Sequence, residues 1–465
     1  MDFRDTLGVL DKKGVSKRIY PKMVDGFLFK ARNVVGFFLL AFLFSAPFVK
    51  IDGQPLLLLN VLERKFIIFG KIFFPQDTYI FALAMLVFMV FIILFTVVFG
   101  RVFCGWACPQ TIFLELIFRR IEHWIEGDAN QQRKLNEGEW TSEKIWKKTL
   151  KHTIFVLISF FIANTFLAYL VGIEELERLV THSPLENLTL FVSLLIFTSL
   201  FYYVFAKFRE LVCIVVCPYG RLQSVFLDNK SIVVAYDFLR GEPRGKLKKN
   251  EVDPAPKGDC IDCKLCVQVC PTGIDIRNGT QMECVNCTAC IDACDDIMEK
   301  IGKPKKLIRY DSMEGITEKK PLRFTARIAA YSTVLALLLG LLSYFLLSRD
   351  MVGVTVLKTP GMLFQKPDSL TISNLYNIEL INKTSEKMNL TIKVKDEIGT
   401  IKLVTNDTQM AVESQQAFKT SFFIFVPKKN IYNMNSKLEI EVYSEGKLIT
   451  KTKTSFTSPV AYAKK

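Results

Sequence analysis

Histidine is nearly missing from this chain: His123, His152 and His182 are the only three in 465 residues. A haem held between membrane helices needs imidazoles deep in facing spans. These three read as lying at or beyond helix ends, which argues against a haem. No Met-rich or His-rich tract occurs either, so any soft-metal chemistry falls to cysteine. Of the twelve cysteines none lies beyond Cys294, and they form four groups of closely spaced thiols. That usage implies metal ligation in a reducing compartment rather than disulfides. The formal charge of +14 is accompanied by no RNA- or DNA-binding motif, which argues against a nucleic-acid partner. What is abundant is apolar: half the residues are hydrophobic, and Phe alone contributes 39.

The apolar residues concentrate in runs. Segments 33–50, 79–99, 153–172, 188–206 and 326–347 each approach the ~20 residues a spanning helix needs. Residues 1–32 read as a basic tail; they are long for a signal-peptide n-region, and no clean A-x-A site follows. The stretch 51–78 is broken by Asn60, Glu63, Arg64, Lys65, Gly70 and Lys71, and suggests short strands or a re-entrant piece. After the fifth span, 370–457 alternates apolar and polar residues, as in Leu390-Thr391-Ile392-Lys393-Val394, which predicts an antiparallel β-sandwich. Lys plus Arg number eight in 1–32, three in 51–78, nine in 100–151, one in 173–187 and twenty in 207–325. By the positive-inside rule this alternation predicts a cytoplasmic N-terminus and an external C-terminal domain.

The strongest signal is Cys260-x2-Cys263-x2-Cys266-x3-Cys270-Pro271, repeated after a thirteen-residue gap as Cys284-x2-Cys287-x2-Cys290-x3-Cys294. Two such runs are the ligand pattern of a bacterial-type ferredoxin with two [4Fe-4S] clusters. Three thiolates two residues apart wrap one corner of a cubane, and the fourth reaches the other cluster. Cys260, Cys263, Cys266 and Cys294 are thus assigned to one cluster, and Cys284, Cys287, Cys290 and Cys270 to the second. Asp295 stands where the second run would usually carry Pro, a departure that removes no ligand. Eight Cys in this register argue against paired zinc sites or a disulfide framework.

A second constellation is Cys104-x3-Cys108-Pro109, after the second span, and Cys213-x3-Cys217-Pro218, after the fourth. Thiols four apart share one face if helical, while the residue before Pro disfavours helix, so each motif marks a break. If the two units pack as pseudo-symmetric partners, four sulfurs converge at the membrane edge. They would suit Cu(I), a further Fe–S cluster or thiol redox chemistry; the blander reading is small buried Cys between helices.

The strings Phe103-Cys104-Gly105-Trp106-Ala107-Cys108-Pro109-Gln110-Thr111, Arg209-Glu210-Leu211-Val212-Cys213, Gly241-Glu242-Pro243-Arg244-Gly245 and Cys270-Pro271-Thr272-Gly273-Ile274-Asp275-Ile276-Arg277 carry a resemblance over nearly the whole chain. The chain resembles the FixG/CcoG-type cytochrome c oxidase accessory proteins. The Cys motifs alone are also similar to quinol-oxidising membrane ferredoxins of nitrate- and nitrous-oxide-reductase accessory type. The resemblance implies a multi-domain protein of the bacterial inner membrane: tail 1–32, four-span domain 33–227, linker and ferredoxin domain 228–325, fifth helix 326–348, and an external immunoglobulin-like sandwich 349–465. It further implies a cupric reductase serving haem–copper oxidase assembly, with copper ions, copper chaperones and oxidase assembly factors as partners, and leaves the electron donor open. Two other readings are a quinol-linked electron-transfer subunit without a copper substrate and a redox-sensing assembly scaffold.

Overall fold

The structure is a computed structural model. It describes residues 18–462 apart from 52, 61–64, 74–76, 183–187, 247–257, 320–324, 362, 385, 396–397, 405–409 and 415. Much of the predicted tail, and residues 247–257 ahead of the first cysteine run, therefore lie outside the described residues. The chain divides into two compact units. One gathers Met1–Ile51, Pro55–Glu63 and Ala82–Gly340; the other gathers Asp52–Gln54, Arg64–Phe81 and Leu341–Lys465.

Among the described residues five helices are long and apolar enough to cross a bilayer: Phe27–Ser45, Thr78–Phe99, Ser142–Val171, Phe191–Phe208 and Ala326–Leu347. Many of their large apolar side chains, such as Phe37, Phe88, Phe161, Ile196 and Leu337, are exposed, as lipid-facing residues would be. The first span begins at Phe27 rather than 33, so residues 27–32 belong to the helix and not to the tail. The reason is long-range: the carboxylate of Asp292 accepts hydrogen bonds from the backbone N–H groups of Leu28 and Phe29 at 3.2 and 2.7 Å. The third span starts at Ser142, eleven residues before the predicted 153, because Thr141 Oγ1 caps it by accepting from the Lys144 N–H. His152 accordingly lies inside that helix, and its Nδ1 sits 3.0 Å from the Tyr202 hydroxyl. The helix from Leu188 passes into a π-turn at Val204–Phe208 and ends at Arg209, whose φ of 49° no ordinary helix continues. Stacked and edge-on rings of Phe118, Phe155 and Phe205 fill the interior of this first unit.

The predicted linker 228–259 contains a structural strand. Val233–Tyr236 pairs antiparallel with Ile308–Asp311, bracketing the two cysteine runs, and Val234, Tyr236 and Ile308 join the core beneath them.

The second unit is a β-sandwich. One sheet orders the strands Thr400–Leu403, Ala417–Pro427, Thr371–Asn382 and Val352–Lys358. The other orders Met410–Val412, Met388–Val394, Asn435–Ser444 and Lys447–Thr457. Alternate residues (Ile372, Tyr376, Ile378 and Leu380 against Leu390, Ile440 and Val442) close the core between them. This unit is larger than the predicted 349–465. The hairpin Lys65–Ile68 and Lys71–Phe73 belongs to it, tied by Asp77, which is 2% exposed and pairs with Arg349 and Lys383 at 2.6 Å each. Such a buried, doubly paired carboxylate leaves no alternating pattern in the sequence to find it by.

Candidate iron–sulfur and thiol site

Both ferredoxin runs are folded by the same device. Asp262 and Lys264 in the first, and Asn286 and Thr288 in the second, adopt positive φ of 52°, 57°, 52° and 67°. Two left-handed residues flanking the middle Cys turn the chain sharply, so that thiols two residues apart converge. Asp and Asn tolerate this conformation; Thr288 is β-branched and adopts it at a cost, with Oγ1 donating to the Cys287 carbonyl at 2.6 Å. A helix starts directly after each kink, at Leu265 and at Ala289. Its N–H groups and dipole favour an anionic cluster.

Thiols of the two runs lie within electrostatic reach of one another. Cys294 feels the charge of Cys266, Cys260 and Cys263, whereas Cys284 and Cys287 both feel Cys270. Burial, reinforced by neighbouring thiols, pushes Cys266, Cys284 and Cys294 up to about 12 and raises Cys287 and Cys290. Thiols in that condition lose their protons when a cation compensates the charge, so the donor set fits iron. Among the described residues no three His, Cys, Asp or Glu side chains lie close enough to share a single metal ion. A cubane asks less, because each of its thiolates binds a different iron.

Asp295 has a physical explanation. Cys270 is followed by a turn, but the helix Ala289–Lys300 runs on past Cys294, and a Pro there would break it. Asp295 instead accepts from the Lys306 N–H at 2.7 Å. Arg277, in the Gly273–Arg277 string, pairs with Asp262 and Asp275 at 2.6 Å and clasps the first run's loop.

The two Cys-x3-Cys-Pro motifs are not helical faces. Cys104 lies within the short helix Val102–Trp106, while Cys108 is the extended N-cap (ψ 123°) of the next helix, with Pro109 at its first position. Cys217 repeats this at ψ 111° with Pro218, after a π-turn at Val212–Val216 that holds Cys213. The helical-face expectation therefore gives way to the break at Pro, and the helix after Pro109 is interrupted by a π-turn at Phe113–Phe118. The thiols of the two motifs nonetheless lie within electrostatic reach of one another. Cys213, pushed up to about 12 by burial, also feels Cys108, Cys104 and Cys217; Cys104 is raised to about 11, chiefly by burial. The Cys104 thiol donates to Gln223 Oε1 at 3.1 Å.

This thiol station abuts the second ferredoxin run. Cys104 shares an apolar cluster with Val285, Cys287 and Ala289, packed against Cys290 and Tyr219. Gly105 makes the approach: a Cβ there would stand 2.5 Å from the Val285 carbonyl oxygen and 2.8 Å from that of Asn286. Trp106 Nε1 donates to Tyr310 Oη, which donates to the Asn286 carbonyl, both at 3.0 Å. Cys263, by contrast, is exposed. Composition and spacing do not reveal Arg101, Asp292, Gln223 or the buried network of Arg119, Glu122, Lys151 and Arg209. Their partners lie far away in the chain, and only the position of Arg101 just before a thiol motif hints at its site.

Known proteins align with these parts. A family model for a 4Fe-4S dicluster domain matches residues 208–313, one for a 4Fe-4S binding domain matches 81–127, and one for the immunoglobulin-like fold at the C-terminus of FixG matches 342–459. Protein RdxA of Cereibacter sphaeroides is 36% identical over 82% of this chain and 83% of its own length. RdxB of the same organism is 37% identical over 82% of each. The nitrogen fixation protein FixG of Rhizobium meliloti is 29% identical over 82% of this chain and 79% of its own length.

Proposed function

The chain belongs to the FixG family of iron–sulfur proteins, and from that premise we propose that it reduces Cu(II) to Cu(I) for copper delivery in haem–copper cytochrome c oxidase assembly. The observation that carries this reading is the contact of Cys104 with the Cys287 loop, sealed by Gly105. When bound, two [4Fe-4S] clusters held by the eight ferredoxin cysteines supply low-potential one-electron carriers. The exposed Cys263 opens one end of that pair to a donor in solution, and the buried Cys287 brings the other end to the thiol station. There Cys104, Cys108, Cys213 and Cys217 offer the soft thiolates, a pair of which is enough to hold Cu(I). Soft thiolates prefer Cu(I) to Cu(II), so binding itself favours uptake of one electron by each cupric ion. A further Fe–S cluster at the same four thiols would serve as the last relay before copper.

The Lys/Arg alternation supports an inner-membrane orientation with the ferredoxin runs and thiol pairs on the cytoplasmic edge and the sandwich outside. In this reading the external domain meets copper chaperones and oxidase assembly factors.

The test uses anaerobically purified full-length protein, reduced and then freed of reductant, mixed with Cu(II) and a Cu(I)-specific chelator. Wild type is expected to yield Cu(I), and protein with all four of Cys104, Cys108, Cys213 and Cys217 replaced by Ser is expected to yield almost none. Wild type that leaves Cu(II) unreduced sinks the proposal. Iron measured on both proteins reads the occupant: about eight per chain in each means two cubanes only, and a fall of about four in the variant reveals a third.

A further inference from the structure

Arg101 stands three residues before Cys104 and is only 3% exposed. Its Nη1 donates to the carbonyl of Met282, two residues ahead of Cys284. Its Nη2 lies against Gly220, in the helix that follows Cys217 and Pro218: a Cβ there would stand 2.8 Å from it. The guanidinium thus hydrogen-bonds the backbone ahead of the second ferredoxin run and packs against the helix that follows the second thiol motif. Its charge acts downward on Cys104, Cys213 and Cys284 against the effect of burial. Among the described residues no carboxylate forms an ion pair with it, and its Nε is buried without a hydrogen-bond partner. Arg119, also buried nearby and donating to the Pro271 carbonyl, differs in this respect, because Glu115 and Glu210 both pair with it. A buried cation without a carboxylate is costly unless another anion answers it. The anions available are the sulfur-bound centres on either side.

We propose that Arg101 is the positioning residue that sets the electrostatics between the two stations: it raises the reduction potential of the centre held by Cys270, Cys284, Cys287 and Cys290, and so favours transfer of an electron to it from the centre held by Cys260, Cys263, Cys266 and Cys294. The inference rests on the electron-transfer reading above. A nearby positive charge stabilises the reduced, more negative state of a cluster, so removing it lowers the potential. The centre held by Cys260, Cys263, Cys266 and Cys294 has Arg277 beside it instead, and that charge is shared with Asp262 and Asp275.

The experiment is an EPR-monitored redox titration of full-length wild type, R101Q, R101M and R101K, with iron content and Cu(II) reduction measured on the same samples. R101Q and R101M are expected to lower one cluster potential, leave the other unchanged, and slow Cu(II) reduction about tenfold or more. R101K is expected to keep the wild-type potential. Unchanged potentials in iron-replete R101Q and R101M overturn the proposal, as does an R101K shift equal to that of R101Q. If the neutral variants lose iron that R101K retains, the same charge is being read through cluster assembly; loss in R101K as well overturns it. A wild type that shows no Cu(II) reduction, with R101Q still shifted in potential, removes the copper reading and leaves the role of Arg101 standing.

Discussion

The two ferredoxin runs are near copies in local structure and opposites in surroundings. Each turns on a pair of left-handed residues and launches a helix from the third Cys side. Yet Cys263 of the first is exposed, whereas Cys287 of the second is buried with its carbonyl taken by Arg32 Nη1 at 3.0 Å. Spacing decides which thiols share a cluster, and burial decides what each cluster can touch. One run meets solvent, where a donor can approach; the other is sealed against Gly105 and the thiol pairs. The division of labour lies in the environment and not in the ligands.

The sharpest way to break the comparison is to attack what supports the buried side. Arg119 joins the Pro271 carbonyl to a network in which Glu122 accepts from Arg209 Nη1 at 2.7 and 2.8 Å, with Arg18 at 2.6 Å. Burial works to raise the Glu122 carboxyl, but Arg209, Arg18 and Lys151 outweigh it and hold the group down to about 2. Removing that anion strands buried cations, so E122Q is expected to destabilise the protein by about 3–5 kcal/mol. By contrast Asp296, at the solvent-exposed end of the second run's helix, pairs with Lys300 in the open, and D296N is expected to change stability by no more than about 0.5 kcal/mol. Denaturant unfolding in detergent compares the two. The pH dependence follows from sign: a carboxyl lowered by folding contributes stability above its ordinary value, and loses it as pH falls toward about 2. E122Q should lose less stability than wild type over that range, the remainder coming from other carboxyls that folding lowers, such as Asp275.

A second contrast concerns the residue after each fourth Cys. D295P would give the second run the Pro that the first has at Pro271, but inside the helix Ala289–Lys300 rather than at a turn. It removes a helical N–H and the carboxylate that accepts from Lys306, at an expected cost of about 3 kcal/mol or more. Melting midpoint and iron retention measure it. A D295P protein as stable as wild type would mean the helix does not depend on this position.

The same contrast explains what could be read from the chain in advance. Cysteine spacing, apolar runs and strand alternation are local regularities, so the runs, the five spans and the sandwich were legible from them. Asp295 could be seen as a departure, but its reason, a helix continuing past Cys294, could not. The start of the first span at Phe27 depends on Asp292, more than 260 positions away in the chain. Short strands within 51–78 could be read from the broken apolar pattern, but their membership of the sandwich unit, with Asp77 clasped by Arg349 and Lys383, could not. The nearness of the two thiol motifs is what duplication suggests, but they share no helical face: Pro109 and Pro218 set both second thiols outside the helix. The first-span start and the place of the hairpin each turn on a polar contact between distant positions, and no window of sequence carries the partner.

The smallest effect offers the finest comparison, because the two runs place equivalent residues against the same N-terminal segment. Two positions after its third Cys, the first run has Gln268 and the second has Asp292. Gln268 meets the segment through its backbone, its carbonyl accepting from the Lys22 N–H at 2.9 Å. Asp292 uses its side chain, and so closely that a Cβ on Gly26 would stand 2.2 Å from its Cγ. Q268A should therefore be nearly neutral. D292A strips the cap from the first span and should cost about 1 kcal/mol, with D292N falling between because it keeps an acceptor and loses the charge that favours a helix N-terminus. Hydrogen exchange at the Leu28 and Phe29 amides separates this cap from a general loosening. Protection there should fall in D292A and persist in Q268A. Equal protection in D292A and wild type would show that the first span holds its own start without the ferredoxin helix.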